Sequence, residues 1–397
     1  RENRLGYAYT SDLSRDGIGA AVEAAVAAST AAEPDPFSVL PEATAVESFQ
    51  EQPGLWLPEL GRIDLHSKVA LAVEAEAAAL QCHEVRGVEE AVYSDVDRRV
   101  AVVSSRGVSR WGAATYAVLY VYAHAEREGE TRSGFAAAGS RAGARGLEPQ
   151  EVGEEAAARA CRLLGAERCP SGTYTVVLEQ QVVGGLLSAI APAFSAEAVQ
   201  KGRSVFADRI GSGLGPPSFH LWDDGLCVDG PSSFWFDDEG VARTTRTPLI
   251  HNGVLASFLY DSRTAARGDT SSTANAVRAS YRSLPLPSTT NLIVEVPGSG
   301  DIQALVERVG DGLYVVEVNG LHSGINSISG EISVGVSGLL IRGGSLCEPV
   351  HEITMATDMP ALFAGITDAA GDTAWDYVHG GVLTPSLALR DIAVSGS

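Results

Sequence analysis

The fold of the first third of the chain is decided by residues 91–105, which read AVYSDVDRRVAVVSS. Apolar and polar residues alternate on both sides of the polar centre, and a period of two is typical of half-buried strands. We interpret the Asp/Arg centre as a turn between two short strands. A further strand is predicted over Thr115–Ala125, which is rich in Val, Leu and Tyr. These segments together predict an antiparallel sheet.

Helical patterns precede these strands. Ile18, Val22 and Val26 recur at intervals of four within Gly17–Ala32, which predicts an amphipathic helix. A second helix is predicted over Ile63–Gln81, where Val and Leu residues lie among helix-forming Ala and Glu with no internal Pro. An antiparallel sheet packed by two helices is therefore predicted for residues 1–135.

The later part of the chain changes to mostly β-type patterns. Residues 134–146 predict a loop, and helices are predicted over Glu148–Leu164 and, as a buried segment, over Val182–Phe194. The predicted strands are Thr173–Glu179, Leu313–Val318, Ile332–Val336, Leu339–Arg342 and Leu387–Val394. We therefore predict an α+β fold with an N-terminal α+β domain (1–135), a central segment of helix and strand (136–217) and a β-rich C-terminal domain (218–397).

Composition and charge narrow the possible functions. Hydrophobic residues make up 45% and charged residues 20% of the 397 positions, as in ordinary globular proteins, which excludes a wholly disordered chain. Lys and Arg number 29 against 50 Asp and Glu, a formal net charge of −21. Such a surface repels phosphate backbones and anionic lipids, and no run approaches the ~18–20 apolar residues of a membrane helix. Nucleic acid and membranes are therefore not expected as partners.

The potential metal ligands are scattered along the chain. The eight His never fall three to five residues apart, so the helix of a zincin, with two His one turn apart, is absent. The Cys residues include no CxxC pair, and we interpret them as reduced cytosolic thiols that mostly serve packing. They are Cys82, Cys161, Cys169, Cys227 and Cys347. We expect a cytoplasmic chain with no metal site and no cofactor of its own.

Four polar motifs of the second half occur in the order found in a known family. They are Asp237–Gly240 (DDEG), Leu249–Leu255 (LIHNGVL), Asn319–Asn326 (NGLHSGIN) and Ser329–Ser333 (SGEIS). Four more short motifs accompany them: Gly6–Ser14 (GYAYTSDLS), Lys201–Ser204 (KGRS), Glu348–Met355 (EPVHEITM) and Thr384–Leu387 (TPSL). In these motifs the chain resembles the TldD/PmbA family, once labelled modulators of DNA gyrase, and within it the TldE (PmbA) branch. The resemblance spans nearly the whole chain, although the first strands of the family have no counterpart in this sequence.

The resemblance implies a division of labour between two paralogues that form a heterodimer. In the TldD partner an HExxxH helix and a distant Cys hold zinc for peptide cleavage, whereas the TldE partner lacks that helix and completes a shared chamber. The corresponding stretch here, Leu186–Phe194 (LLSAIAPAF), has no His and no Glu, and Ala374–Ser397 contains no Cys. Since Ser, Ala and Leu offer zinc no imidazole or thiolate, the resemblance implies a non-metal subunit without catalytic residues of its own. The zinc is expected in a TldD-like paralogue carrying HExxxH, and the substrates are expected to be unfolded or short peptides.

The candidate substrate-binding residues lie in the polar segment that follows the predicted strand Leu313–Val318 and continues into the start of the predicted strand Ile332–Val336. They are Asn319, His322, Ser323, Asn326 and Ser333. A Gly-flanked polar loop can present donors and acceptors to a peptide, but its polar groups could equally satisfy one another. His379 is interpreted as an ordinary loop histidine. Asp237–Gly240 is interpreted as a hydrogen-bonded turn rather than a calcium loop, because EF-hand spacing is absent.

Two other functions stay open at this point. The heterodimer could tailor a peptide-like natural product, because some members of the family accompany biosynthetic enzymes. The chain could instead be a stand-alone homodimeric binding or assembly protein without protease activity. A neighbouring reading frame that encodes HExxxH would favour a heterodimer, and its absence would favour the stand-alone protein.

Overall fold

The computed structural model describes residues 2–43 and 54–397. Its N-terminal part combines helices with a three-stranded antiparallel sheet of order β1-β2-β3. The elements are α1 (Arg15–Ala31), α2 (Leu65–Ala79), β1 (Val85–Val103), β2 (Ser109–Arg127), β3 (Glu130–Ser140) and α3 (Pro149–Arg162). The predicted α+β class, with an N-terminal antiparallel sheet and packing helices, is confirmed, and the helices packed on the sheet are α2 and α3. The expectation that the helix over Gly17–Ala32 packs there does not hold, because Ile18, Val22 and Val26 of α1 are 49%, 58% and 46% exposed.

β1 corrects the prediction of two short strands around an Asp/Arg turn. It is one continuous strand of 19 residues that pairs with β2 along its length. The turn lies after it, where the N–H of Ser104 donates to the carbonyl of Val108 (2.9 Å). Arg98 of the polar centre instead donates to Asp238 of the C-terminal part (2.8 Å). The charged residues therefore stay inside a strand because their side chains point outward to water and to a neighbouring element.

β3 corrects the prediction of a loop over residues 134–146. Its residues are small because α3 crosses the sheet at close range. A Cβ on Gly134 would lie 2.2 Å from the carbonyl oxygen of Ala156 and 2.3 Å from the nitrogen of Ala160. The low apolar content therefore reflects close helix-to-strand contact. Only the last part of the segment is irregular, with a 3-10 turn at Gly143–Gly146.

The C-terminal part is rich in strands, as predicted. It begins with β4 (Gly172–Leu178), α4 (Gln180–Ile190), a 3-10 turn (Ala191–Phe194) and α5 (Ala196–Gln200). These confirm the predicted strand and the predicted buried helix. The remaining elements are β5 (His220–Asp223), β6 (Thr247–His251), β7 (Val254–Leu255), α6 (Ser262–Arg267), β8 (Ala276–Val277), β9 (Leu286–Pro287), β10 (Leu292–Glu295), α7 (Ile302–Val309), β11 (Gly312–Asn319), α8 (Leu321–Gly324), β12 (Glu331–Arg342), β13 (Ser345–Asp358), α9 (Met359–Ala364), β14 (Ile366–Ala369), β15 (Ala374–Asp376), β16 (Val382–Thr384) and β17 (Leu387–Ser395).

Two six-stranded sheets surround the main core, with the orders β15-β16-β10-β5-β6-β7 and β13-β12-β11-β4-β17-β14. α4 contacts both sheets, through β16 and β11. Leu186 of α4 is buried in one cluster with Leu221 of β5 and Val315 of β11. The two strands predicted over Ile332–Val336 and Leu339–Arg342 are one strand, β12. The division of the chain at residues 135 and 217 stays a prediction.

The helices give no sign of a membrane span. Within residues 2–43 and 54–397, none is both long and apolar enough to cross a bilayer.

Candidate functional site

A cleft of about 350 Å³ lies between the N-terminal sheet and the C-terminal part. On one side it is lined by β2 and β3, and on the other by the first turn of α4, the end of β11 and the segment after β15. Its described lining residues include Glu90, Tyr120, Tyr122, Ser133, Gly134, Phe135, Arg159, Gln181, Glu317, Asn319 and His379. We take this space, called the cleft below, as the candidate site because it lies between the two parts of the chain and is bordered by α4.

Aromatic side chains form the N-terminal wall of the cleft. Alternation along β2 buries Leu119 under the helices and leaves Tyr120 and Tyr122 on the opposite face. The ring of Phe135 lies 5.8 Å from that of Tyr120 and 6.1 Å from that of Tyr122, measured between centroids. The hydroxyl of Tyr120 donates to Glu90 (3.1 Å). The wall therefore offers flat apolar surface with a carboxylate beside it.

A buried ion pair joins α3 to the residue before α4. Arg159 donates from Nη1 and Nη2 to the two carboxylate oxygens of Glu179 (2.9 and 2.7 Å) and from Nε to Glu155 (2.7 Å). The side chains of Arg159 and Glu179 are 13% and 11% exposed. Burial raises the pKa of Glu179, and the guanidinium of Arg159 opposes that rise. The pair fixes the N-terminal part to the helix that lines the cleft.

His379 lies in the cleft beside a buried carboxylate. Its Nδ1 is 2.7 Å from Oδ2 of Asp376, whose Oδ1 accepts the backbone N–H groups of Val378 (2.9 Å) and His379 (3.0 Å). The Asp376 side chain is 4% exposed, whereas that of His379 is 39% exposed. Since Nδ1 faces Asp376, Nε2 is the ring nitrogen that can contact a ligand in the cleft.

α4 passes close to this carboxylate because residue 184 is a glycine. A Cβ on Gly184 would lie 2.5 Å from Oδ2 of Asp376 and 2.9 Å from its Cβ. One turn further along α4, the hydroxyl of Ser188 donates to the carbonyl of His379. α4 therefore positions both members of the Asp376–His379 pair from the core side.

We expect His379 to titrate above its ordinary range. The hydrogen bond to Asp376 raises the pKa of His379 above 6.5, and the charge of that carboxylate adds to the rise while burial opposes it. The stability that the imidazolium contributes is therefore complete below pH 6.5 and is lost as the pH rises through the raised pKa. An NMR titration should show the raised pKa in the parent and its loss in Asp376→Asn. The same titration curve in both proteins would contradict the pairing.

The structure separates the predicted substrate-binding residues. Asn319, the last residue of β11, is exposed and lines the cleft. His322 and Ser323 are exposed on α8, and Ser333 is exposed on β12. None of these three is among the described residues that line the cleft. Only Asn319 is therefore placed with the aromatic wall and His379.

Two polar loops satisfy their own groups. The side-chain oxygen of Asn326 accepts the backbone N–H groups two and three residues on (2.9 and 3.2 Å). Oδ1 of Asp237 likewise accepts the N–H groups of Glu239 (3.0 Å) and Val241 (2.9 Å). The prediction of a hydrogen-bonded turn at Asp237–Gly240 is confirmed. The side chain of Asn326 bonds to the backbone of its own loop, which was the alternative to substrate contact.

Tyr120, Tyr122 and His379 were not singled out by sequence reasoning. The two tyrosines carried a usable signal, because residues two apart in a predicted strand share one face. The sequence signal for His379 is weaker: a carboxylate, Asp376, lies three residues earlier. The interpretation of an ordinary loop histidine missed the pair because burial of Asp376 beneath α4 depends on contacts with residues far away in the sequence.

The stretch Leu186–Phe194, which by resemblance corresponds to the zinc-binding helix of the TldD partner, does not fit a zinc ion. Over Leu186–Phe194, α4 and the 3-10 turn present only Leu, Ser, Ala, Ile, Pro and Phe side chains. The hydroxyl of Ser188 is already bonded to the carbonyl of His379. These residues supply neither imidazole nor thiolate nor carboxylate, so no zinc chemistry is assigned to them.

Another group of metal-ligating side chains lies outside the cleft. Within the described part of the chain, one set of at least three His, Cys, Asp or Glu converges closely enough to hold an ion: Cys82, Glu84 and Cys161. Both cysteines pack against the helical side of the N-terminal sheet. Burial, with the neighbouring Cys82, raises the pKa of the Cys161 thiol to about 12.

Comparison with known proteins identifies the family. The PmbA/TldA metallopeptidase central domain matches residues 58–164, and the PmbA/TldA metallopeptidase C-terminal domain matches residues 171–396, more than half of the chain. The chain belongs to the PmbA/TldD family. This PmbA/TldD chain is 27% identical over 412 aligned residues to the metalloprotease PmbA homolog of Haemophilus influenzae, with 99% of this chain and 83% of that protein covered. The resemblance to the TldD/PmbA family, stated from the sequence motifs, is confirmed.

Solved structures agree with this assignment. A putative modulator of DNA gyrase from Thermotoga maritima superposes with a TM-score of 0.90 at 25% identity, covering 100% of this PmbA/TldD chain and 87% of that one. TldE from Thermococcus kodakarensis superposes with a TM-score of 0.86, covering 100% of this chain and 88% of that one. At 19% identity the second comparison shows the shared fold alone.

Proposed function

We propose that this chain is the non-metal, TldE-like subunit of a heterodimeric zinc metalloprotease. A TldD-like paralogue with HExxxH holds the zinc, and this chain completes the chamber and binds an unfolded or short peptide. The observation that carries the proposal is the composition of Leu186–Phe194: this stretch of α4 and the following 3-10 turn offers no metal ligand, while the first turn of α4 lines the cleft. We also infer a cytoplasmic location, because the five free cysteines suit a compartment that keeps thiols reduced.

The edge of β3 supports the peptide-binding role. Among the described strands, β3 pairs with β2 alone, so its outer edge can accept a further strand. Ser133, Gly134 and Phe135 of this strand line the cleft. A peptide added to that edge would be bound through its main-chain N–H and C=O groups. Such binding selects extended, unfolded segments rather than one particular sequence.

The proposal is tested by native mass spectrometry and peptide hydrolysis on the protein purified from its own source. We expect a 1:1 complex with a TldD-like paralogue that cleaves unfolded peptides. Cleavage should vanish when either His of the paralogue's HExxxH is replaced, and this chain alone should be inactive. Peptide cleavage by this chain alone, or a self-paired dimer as its only assembly, would overturn the proposal.

Asn319→Ala is expected to lower kcat/KM of the complex roughly 2- to 10-fold, the equivalent of one lost hydrogen bond to substrate. The zinc content of the complex should not change. Smaller losses are expected for His322→Ala, Ser323→Ala, Asn326→Ser and Ser333→Ala, because these exposed residues lie outside the cleft.

Gln150→Ala is a suitable control for this series, because Gln150 is an exposed amide on α3 that is bonded to Glu154 (2.7 Å). It should hydrolyse peptide at the parent rate. If the Asn319, His322 and Asn326 variants also do so, these residues do not bind substrate.

A further inference from the structure

Two cysteines that are far apart in the sequence lie side by side in the N-terminal part. The Sγ atoms of Cys82 and Cys161 are 3.1 Å apart, although 79 positions separate them in the chain. A carboxylate oxygen of Glu84 joins them, and all three donor atoms lie within 4.8 Å of one another. The three residues are half-buried, so the group is reachable from solvent. We name Cys82, Glu84 and Cys161 the dithiol cluster.

Regular structure holds the dithiol cluster in place. Cys82 and Glu84 belong to a tight turn between α2 and β1, closed by the N–H of Val85, which donates to the carbonyl of Cys82 (3.0 Å). Cys161 lies in the last turn of α3. The carbonyl ends of α2 and α3 therefore both face this region, and helix C-termini favour a cation.

A neighbouring arginine orients the carboxylate. Arg127 donates from Nε to Oε1 of Glu84 (2.9 Å), and its Nη2 contacts the same oxygen. A side chain that does not itself bind a metal can in this way fix the direction of one that does. Here Arg127 would hold Oε1 of Glu84, so that Oε2 stays available to an ion.

We propose that the dithiol cluster binds one divalent cation of the zinc class, with Cys82 and Cys161 as thiolate ligands, Glu84 as the carboxylate ligand and water in the fourth position. Thiolate and carboxylate ligands in a group of three with an open position suit tetrahedral zinc. With Zn–S bonds near 2.3 Å, two sulfur ligands stand about 3.8 Å apart, so the Sγ atoms, now 3.1 Å apart, need to separate by about 0.7 Å. The ion would be a structural one that links the α2–β1 turn to the end of α3 outside the cleft, so the chain would still supply no catalytic metal.

Cobalt titration of the metal-stripped full chain, kept reduced by a phosphine, tests this proposal. We expect one Co²⁺ per chain, a thiolate-to-cobalt charge-transfer band and a higher Tm, and added Zn²⁺ should remove the band. Cys82→Ser and Cys161→Ser should abolish the band, and Glu84→Gln should weaken binding by roughly 10-fold or more. Cys227→Ser and Cys347→Ser, which change cysteines outside the cluster, should bind as the parent does.

The proposal is overturned if the reduced chain shows no charge-transfer band, or if the band persists in both Cys82→Ser and Cys161→Ser. Circular dichroism of each variant shows whether it is folded, and Glu84→Gln tests the site without touching a thiol. The titration uses this chain alone and no peptide, so its outcome is independent of the proposed peptidase complex.

Discussion

Arg159→Met is expected to lower the free energy of unfolding by about 3–5 kcal/mol at neutral pH, because it leaves the buried carboxylate of Glu179 without its partner. Both oxygens of Glu179 are bonded to Arg159 (2.9 and 2.7 Å), and both side chains are nearly buried. The measurement is chemical denaturation of parent and variant. The complex should also lose activity, since the pair holds α3 to the start of α4.

The pH dependence of Arg159→Met gives this prediction a second test. Burial raises the pKa of Glu179; the variant loses the charge and hydrogen bonds of Arg159 that oppose this rise, and the charge of Arg162 remains. In the variant the carboxyl group can take up a proton, so the loss of stability should shrink as the pH falls through the raised pKa. The double variant Arg159→Met/Glu179→Leu should recover much of the loss, because no unpaired charge stays buried.

Arg168→Met is the matched control for the ion-pair prediction. Arg168 donates to Glu352 (2.7 Å), but the two side chains are 56% and 61% exposed. An exposed pair contributes only about 0–1 kcal/mol, so this variant should unfold nearly as the parent does. Equal losses in Arg159→Met and Arg168→Met would show that burial of the Arg159–Glu179 pair does not matter.

Gly184→Ala is expected to destabilise the protein by about 1–3 kcal/mol, because the added methyl group has no room in the core. The new Cβ would lie 2.5 Å from Oδ2 of Asp376 and 2.9 Å from its Cβ. Asp376 cannot move away freely, since its oxygens hold His379 and the N–H of Val378. We therefore expect the raised pKa of His379 to fall in the same variant, measured by NMR titration alongside denaturation.

Gly19→Ala serves as the control, with an expected effect of opposite sign. Gly19 also lies inside a helix, α1, but nothing stands within 4 Å of its added Cβ. Replacement by Ala in an open helical position stabilises by about 0.5–1 kcal/mol. If Gly184→Ala also stabilises, α4 is not in tight contact with Asp376.

Local patterns predicted those elements whose residues obey their own periodicity. The helices over Gly17–Ala32 and Glu148–Leu164 were predicted because apolar spacing along them matches the helical repeat. The wrong predictions concern segments whose residue composition is explained by contact with a neighbouring element. β3 looks like a loop because α3 presses on Gly134, and the polar centre of β1 looks like a turn because Arg98 contacts Asp238.

The candidate site shows the same limit. Asn319 was predicted from the polar loop, and it lines the cleft. The pairing of His379 with Asp376 depends on the approach of α4, and the contact of Cys82 with Cys161 depends on the packing of α2 against α3. The contact between the two cysteines, 79 positions apart, leaves no pattern of fixed spacing in the chain, and the spacing of three between Asp376 and His379 does not show that the carboxylate is buried.

The sequence by itself determined the fold class, the acidic surface, the family and the absence of metal ligands from Leu186–Phe194, because each depends on residue type, periodicity or motif order. Only the tertiary structure decided which polar groups share the cleft, that Asn326 is bonded within its own loop, and that two distant thiols meet. The physical reason is that burial and distance arise from packing between elements, and packing joins residues that sequence separation keeps apart.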